Sequence, residues 1–134
     1  MVRAQIKGMR AVARIMVVED NDLNRKLFTD VLRANGHEVE PVASGEIVLE
    51  TARGFSPDLV IMDIQLGDVS GLDLIARMSA DGGLEAIPVL AVTAYAGKGD
   101  EERIREAGAR DYLSKPVSIG PFMAAVKRLL EPGG

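Results

Sequence analysis

The chain has 134 residues, one histidine, no cysteine and no tryptophan, and a formal net charge of −4. That length supports one domain. The composition excludes a disulfide framework, a thiol nucleophile and a zinc site built on cysteine or on several histidines. The acidic balance and few aromatics argue against a nucleic-acid partner. No apolar run approaches the ~18 residues of a membrane span, and nothing at the N-terminus reads as a signal peptide.

The charge is uneven. Residues 1–13 carry Arg3, Lys7 and Arg10 and no acid, which leaves −7 on the rest of the chain. Without periodicity, residues 1–12 read as a flexible basic arm, and the domain is expected over 13–131.

From Arg14 onward, short apolar runs alternate with helical patterns. Ile15–Val18 is a strand that stops at Glu19-Asp20. A helix follows, with Leu23, Leu27, Phe28, Val31 and Leu32 on one face and Asn35-Gly36 as its stop. Glu38–Glu40 alternates as a short strand, and His37 before it reads as solvated. Ser44 caps a helix carrying Ile47, Val48 and Ala52, closed by Gly54. Leu59–Met62 is an unbroken apolar strand ending at Asp63. Ser70-x-x-Asp73 has the form of a capping box for a helix with Leu72, Ile75 and Met78. Ile87–Val92 is a strand ending at Thr93. Asp100-Glu101-Glu102 open a helix where its dipole favours acids, and Gly108 closes it. Tyr112-Leu113 is the last strand, before Lys115-Pro116. The final helix carries Ile119, Phe122, Met123, Val126, Leu129 and Leu130, and Pro132-Gly133-Gly134 end it.

Five strands and five helices in alternation predict an α/β fold with a parallel sheet covered on both faces. Glu19, Asp20, Asp63, Thr93 and Lys115 then all fall at the carboxyl ends of strands, the edge where open α/β sheets hold their functional crevice. Three converging acids repel: at ~4 Å a pair costs about 4 kcal/mol at an effective dielectric of 20. Such a cluster calls for a cation, and all-oxygen ligands favour Mg²⁺ over zinc or copper. With Lys115 and the Thr93 hydroxyl, the cation would form a cradle for a phosphoryl group. Asp63, a lone acid directly after the most apolar strand, is the best candidate acceptor. Taken singly, each residue has a bland reading as a capping turn, a strand end or a surface turn. Their common edge gives them force as a set.

Val17-Val18-Glu19-Asp20-Asn21, Leu59 to Leu66, Ala91-Val92-Thr93-Ala94 and Tyr112-Leu113-Ser114-Lys115-Pro116 together resemble the receiver domain of bacterial two-component response regulators. Glu19 to Asn24, Met62 to Leu66 and Lys98 to Glu106 further resemble single-domain cell-cycle regulators of alphaproteobacteria. The resemblance implies a flavodoxin-like (βα)5 fold with strand order 2-1-3-4-5. It implies phosphorylation of Asp63 by a histidine kinase or phosphotransfer protein, without enzyme turnover beyond slow self-dephosphorylation. Asp20, Asp63 and the backbone carbonyl of Gln65 would ligate Mg²⁺, with Glu19 acting through a water. Thr93 and Lys115 would hold phosphoryl oxygens, Tyr112 would be the switch aromatic, and Gln65 and Tyr95 would flank the path of hydrolytic water.

The resemblance also implies a cytoplasmic protein with no membrane partner. Its kinase would dock on the first helix, with Asn24 and Phe28 as candidate contacts. A downstream protein would read the face of the fourth helix, last strand and last helix, with Arg103 and Ile104 beside Tyr112. Gly67 stands where the family usually has proline, which leaves the rigidity of that loop open. Only three residues follow the last helix, so output is expected through protein contacts or phosphate relay. The alternatives are a phosphate sink without an output partner, an aspartate-nucleophile phosphatase, and a flavodoxin. Gln65 argues against the phosphatase, which needs an acid there. Glu19-Asp20 argue against the flavodoxin, because they would repel a flavin phosphate.

Overall fold

The strand pattern becomes a five-stranded parallel sheet in the order β2-β1-β3-β4-β5. The computed structural model describes residues 12–94 and 97–131. Tyr95 and all but the last residue of the expected basic arm lie outside the described residues. The strands are β1 (Arg14–Val18), β2 (Glu38–Val42), β3 (Leu59–Asp63), β4 (Val89–Thr93) and β5 (Asp111–Ser114). The helices are α1 (Asp22–Ala34), α2 (Val48–Phe55), α3 (Gly71–Ala80), α4 (Lys98–Ala107) and α5 (Ile119–Leu130). No helix is long and apolar enough to cross a membrane among the described residues.

Alternation along the strands sorts the core into two layers. Ile15, Val17, Leu59, Ile61, Leu90 and Val92 face α1 and α5, where Phe28 and Phe122 stack with ring centroids 4.9 Å apart. Met16, Val18, Val60, Met62 and Ala91 face α2, α3 and α4. All five residues of β3 are buried, as expected of a central parallel strand covered on both sides. Pro41 is accommodated because β2 is an edge strand.

Several local expectations are corrected. Gly54 lies inside α2, which ends instead at Ser56 in the left-handed region at φ 54°. Ser70 precedes α3 but makes no side-chain capping bond, so the capping box does not form. Helix α4 begins at Lys98, two residues early, and β2 runs on to Val42. His37 is buried, and its Nδ1 accepts the Ala13 N–H at 3.2 Å. The stripe on α1 splits. Phe28 and Leu32 are buried, whereas Leu23 and Leu27 are 75% and 40% exposed.

Two glycines are required by geometry. A Cβ on Gly71 would lie 2.1 Å from the Asp63 carbonyl oxygen, so only glycine lets α3 start this close to the end of β3. Gly108 follows α4 at φ 124°, in the region that favours glycine, and a Cβ there would strike Ser79 Oγ.

Candidate functional site

The sheet register gathers the polar residues. Val18 pairs with Met62, Asp63 with Val92, and Thr93 with Ser114. Glu19, Asp63, Thr93 and Lys115 therefore emerge at one level, with Asp20 on the rim. The Lys115 N–H donates to the Thr93 carbonyl at 2.7 Å, which ties the start of the following loop to β4. The Lys115–Pro116 peptide is cis.

Asp63 and Glu19 are buried, while Asp20 is exposed. One carboxylate oxygen from each of the three lies within 4.8 Å of the others. Oδ1 of Asp63 accepts the Gln65 N–H at 3.0 Å and sits 3.2 Å from Lys115 Nζ. Lys115 Nζ is also 3.5 Å from Glu19 Oε1. Asp63 Oδ2 and Glu19 Oε1 have no hydrogen-bond partner although both are buried. Burial first, and the adjacent Asp63 carboxylate second, push the Glu19 carboxyl up to about 7; the Asn21 amide and Lys115 pull the other way. The two orphaned oxygens and the all-oxygen donor set fit a hard divalent cation of the Mg²⁺ type.

The loop after β3 closes the site. Asp20 Oδ2 accepts the Gly67 N–H at 2.8 Å. Gln65 spans the crevice: its Nε2 donates to Thr93 Oγ1 at 2.9 Å, and its Oε1 accepts the Ala94 N–H at 2.9 Å. Asp68 accepts from Ser44 Oγ at 2.7 Å and from the Gly45 and Val69 amides at 3.1 and 2.8 Å. The loop is thus pinned at both ends despite Gly67. Sequence reasoning named Gln65 beside the path of hydrolytic water but not its bonds to Thr93 and Ala94, and it missed Asp68, because these bonds join residues more than 20 positions apart.

Tyr112 lies away from this cluster. Its hydroxyl donates to Glu101 Oε1 on α4 at 3.1 Å, which raises its pKa, and Arg105 stands over its ring. Asn24 and Phe28 line a groove with Leu27, Lys115, Pro116 and Val117. Phe28 is core, so the rim of this groove on α1 belongs to the exposed Leu27 and the half-buried Asn24, with Leu23 exposed on α1 and Ile119 exposed at the start of α5. The expected contact Asn24 was read from the sequence; Leu23 and Leu27 were assigned to the core instead.

The parallel sheet and the acidic crevice with its lysine and threonine define a phosphotransfer signalling domain, and residues 15–127 match the response regulator receiver domain. The chain belongs to that family, and is a signalling protein of two-component systems rather than a turnover enzyme. It is 50% identical over 116 residues to the polar-differentiation response regulator DivK of Brucella ovis, covering 87% of this chain and 94% of the relative. Among solved structures it resembles a putative response regulator from Chloroflexus aurantiacus (TM-score 0.84, 32% identity, 89% of this chain and 98% of that one). It also resembles the receiver domain of the sensor histidine kinase PA1611 from Pseudomonas aeruginosa, a structure with a magnesium ion in the active-site cleft (TM-score 0.81, 31% identity, 90% and 98%).

Proposed function

We propose that this chain is a cytoplasmic receiver that takes a phosphoryl group onto Asp63 and changes its protein contacts in response. The observation that carries this reading is the state of the Asp63 carboxylate. It is buried, one oxygen is held by Lys115 and the Gln65 amide, and the other has no hydrogen-bond partner.

Asp20, Asp63 and the Gln65 backbone carbonyl would hold Mg²⁺ directly, and Glu19 through a water. Bound there, the cation would neutralise charge on the transferring phosphoryl group. A carboxylate oxygen of Asp63 attacks phosphorus, the P–N bond to the donor histidine breaks, and its electron pair stays on the imidazole, which then takes up a proton. Lys115 balances negative charge on the phosphoryl oxygens, and Thr93 offers its hydroxyl to one of them. Tyr112 then leaves Glu101 and turns inward, so that Arg103, Ile104 and Tyr112 present a different face to a downstream protein. The partners are a histidine kinase or phosphotransfer protein on one side and that downstream protein on the other. The DivK relatives, named for polar differentiation, support placing this chain in cell-cycle and cell-polarity control.

Incubation with a phosphorylated histidine kinase tests the acceptor. Wild type should become labelled only with Mg²⁺ present, and Asp63→Asn should not become labelled. Label on the variant at the wild-type rate would move the acceptor elsewhere.

A further inference from the structure

Within the receiver reading, the side chain of Gln65 has a position that its backbone role does not explain. Its carboxamide reaches from the loop after β3 to the end of β4, where it makes two hydrogen bonds at once. One of the two groups it engages is the hydroxyl that the proposed function gives to the phosphoryl group, and the other is the amide next along the chain. Thr93 Oγ1 is the hydroxyl of the cradle. The Ala94 N–H is the first backbone donor past the end of β4, and a carbonyl-type oxygen already sits on it at 2.9 Å. Oε1 of Gln65 therefore occupies an acceptor position that an anionic oxygen on Asp63 would compete for.

We infer that Gln65 is a latch on the unphosphorylated domain: its carboxamide holds Thr93 and the Ala94 amide, and it must release both before they can grip a phosphoryl group. Thr93 is buried and Gln65 half-buried, whereas the bond to the Ala94 amide lies at the exposed rim, so the Thr93 half of the exchange takes place inside the crevice. A fully solvated glutamine would compete weakly, because water would satisfy the same groups. Here the neutral carboxamide satisfies them together, and the charged phosphoryl oxygens displace it by forming the stronger, charge-assisted bonds. A latch of this kind reduces apparent affinity for a phosphoryl mimic by the fraction of molecules that are open. Gln65 is accordingly a positioning residue: it acts through Thr93 and Ala94.

The test uses Gln65→Ala, which removes the side chain, and Gln65→Met, which keeps its length without the two hydrogen bonds. The first readout needs neither metal nor phosphate: hydrogen exchange and chemical shift of the Ala94 amide in the free protein. In both variants the Ala94 amide should exchange faster and shift, with the melting temperature close to wild type. The second readout is the affinity for beryllofluoride in Mg²⁺, which should rise about tenfold, or about 1.4 kcal/mol. An unchanged Ala94 amide together with unchanged affinity would overturn the latch. Weaker binding by both variants would overturn it too, because Gln65 would then be a ligand of the phosphoryl group. A wild type that binds no beryllofluoride would overturn the phosphoacceptor reading and this inference with it.

Discussion

Lys115 Nζ lies 3.2 Å from Asp63 Oδ1 and 3.5 Å from Glu19 Oε1, so one ammonium group serves two buried carboxyls. A single positive charge cannot balance both; burial first, and the neighbouring Asp63 carboxylate second, hold the Glu19 carboxyl up at about 7. The three carboxyls therefore crowd one crevice with a single ammonium group between them, and a divalent cation is the direct remedy. Mg²⁺ at 100 times its dissociation constant should stabilise the fold by about 2.7 kcal/mol. At about 4 °C per kcal/mol for a domain of this size, the melting midpoint should rise about 10 °C. Asp63→Asn removes one charge and one ligand, so its midpoint should respond much less. Thermal melts with and without Mg²⁺ decide this, and a wild-type midpoint indifferent to tens of millimolar Mg²⁺, an order-of-magnitude choice for a weak hard-cation site, would contradict the site.

Asp68 predicts a pH dependence. Hydrogen bonds from Ser44 and the Gly45 and Val69 amides hold its carboxyl down at about 2, below the ordinary value of 3.8. A depressed carboxyl stabilises the fold above its unfolded pKa, and this contribution is lost as pH falls through the folded value. Asp68→Ala should therefore melt below wild type at pH 7, and the gap should narrow between about pH 4 and pH 2. A gap that stays constant across that window would show that the carboxylate charge is not what holds the loop.

The outer row of α1 should be a docking surface. Leu23 and Leu27 are exposed, and Leu27 and Asn24 border the groove that reaches Lys115. Substituting Asn24 or Leu27 by alanine should slow transfer from a cognate kinase several-fold, an interface cost of about 1 kcal/mol. Labelling by acetyl phosphate, which needs no docking face, should stay at the wild-type rate. Equal slowing with both donors would point to damage at the site instead.

The Tyr112–Glu101 bond should restrain the switch. Glu101→Ala removes the acceptor that holds the phenol outward on α4. The variant should bind the downstream partner more tightly than wild type in the unphosphorylated state. The bond lies near the surface, where water competes for both groups, so the gain should be a few-fold and not more than about tenfold. Thr93→Ala should have the opposite defect. It should still accept phosphate but lose most of the tightening caused by beryllofluoride. Partner affinity measured with and without the mimic in both variants checks the two together.

Much of this was legible in the linear chain. Unbroken apolar runs such as Leu59–Met62 specify central strands because both faces must be buried, and five strands alternating with helices leave few topologies. A polar residue after each run must then fall at the carboxyl edge, so Glu19, Asp20, Asp63, Thr93 and Lys115 could be named as one cluster from their places alone. Tertiary structure decided what those places do not encode. Leu23 and Phe28 look alike in a helical pattern, but only the row bearing Phe28 meets Phe122. His37 looked like a surface residue until β1 brought the Ala13 amide to its ring. Asp68 satisfies Ser44, 24 residues earlier, and Gln65 reaches Thr93, 28 residues later. Periodicity reports which face of an element is apolar, whereas a hydrogen bond between distant side chains depends on sheet register, loop path and rotamer, which exist only once the chain has folded.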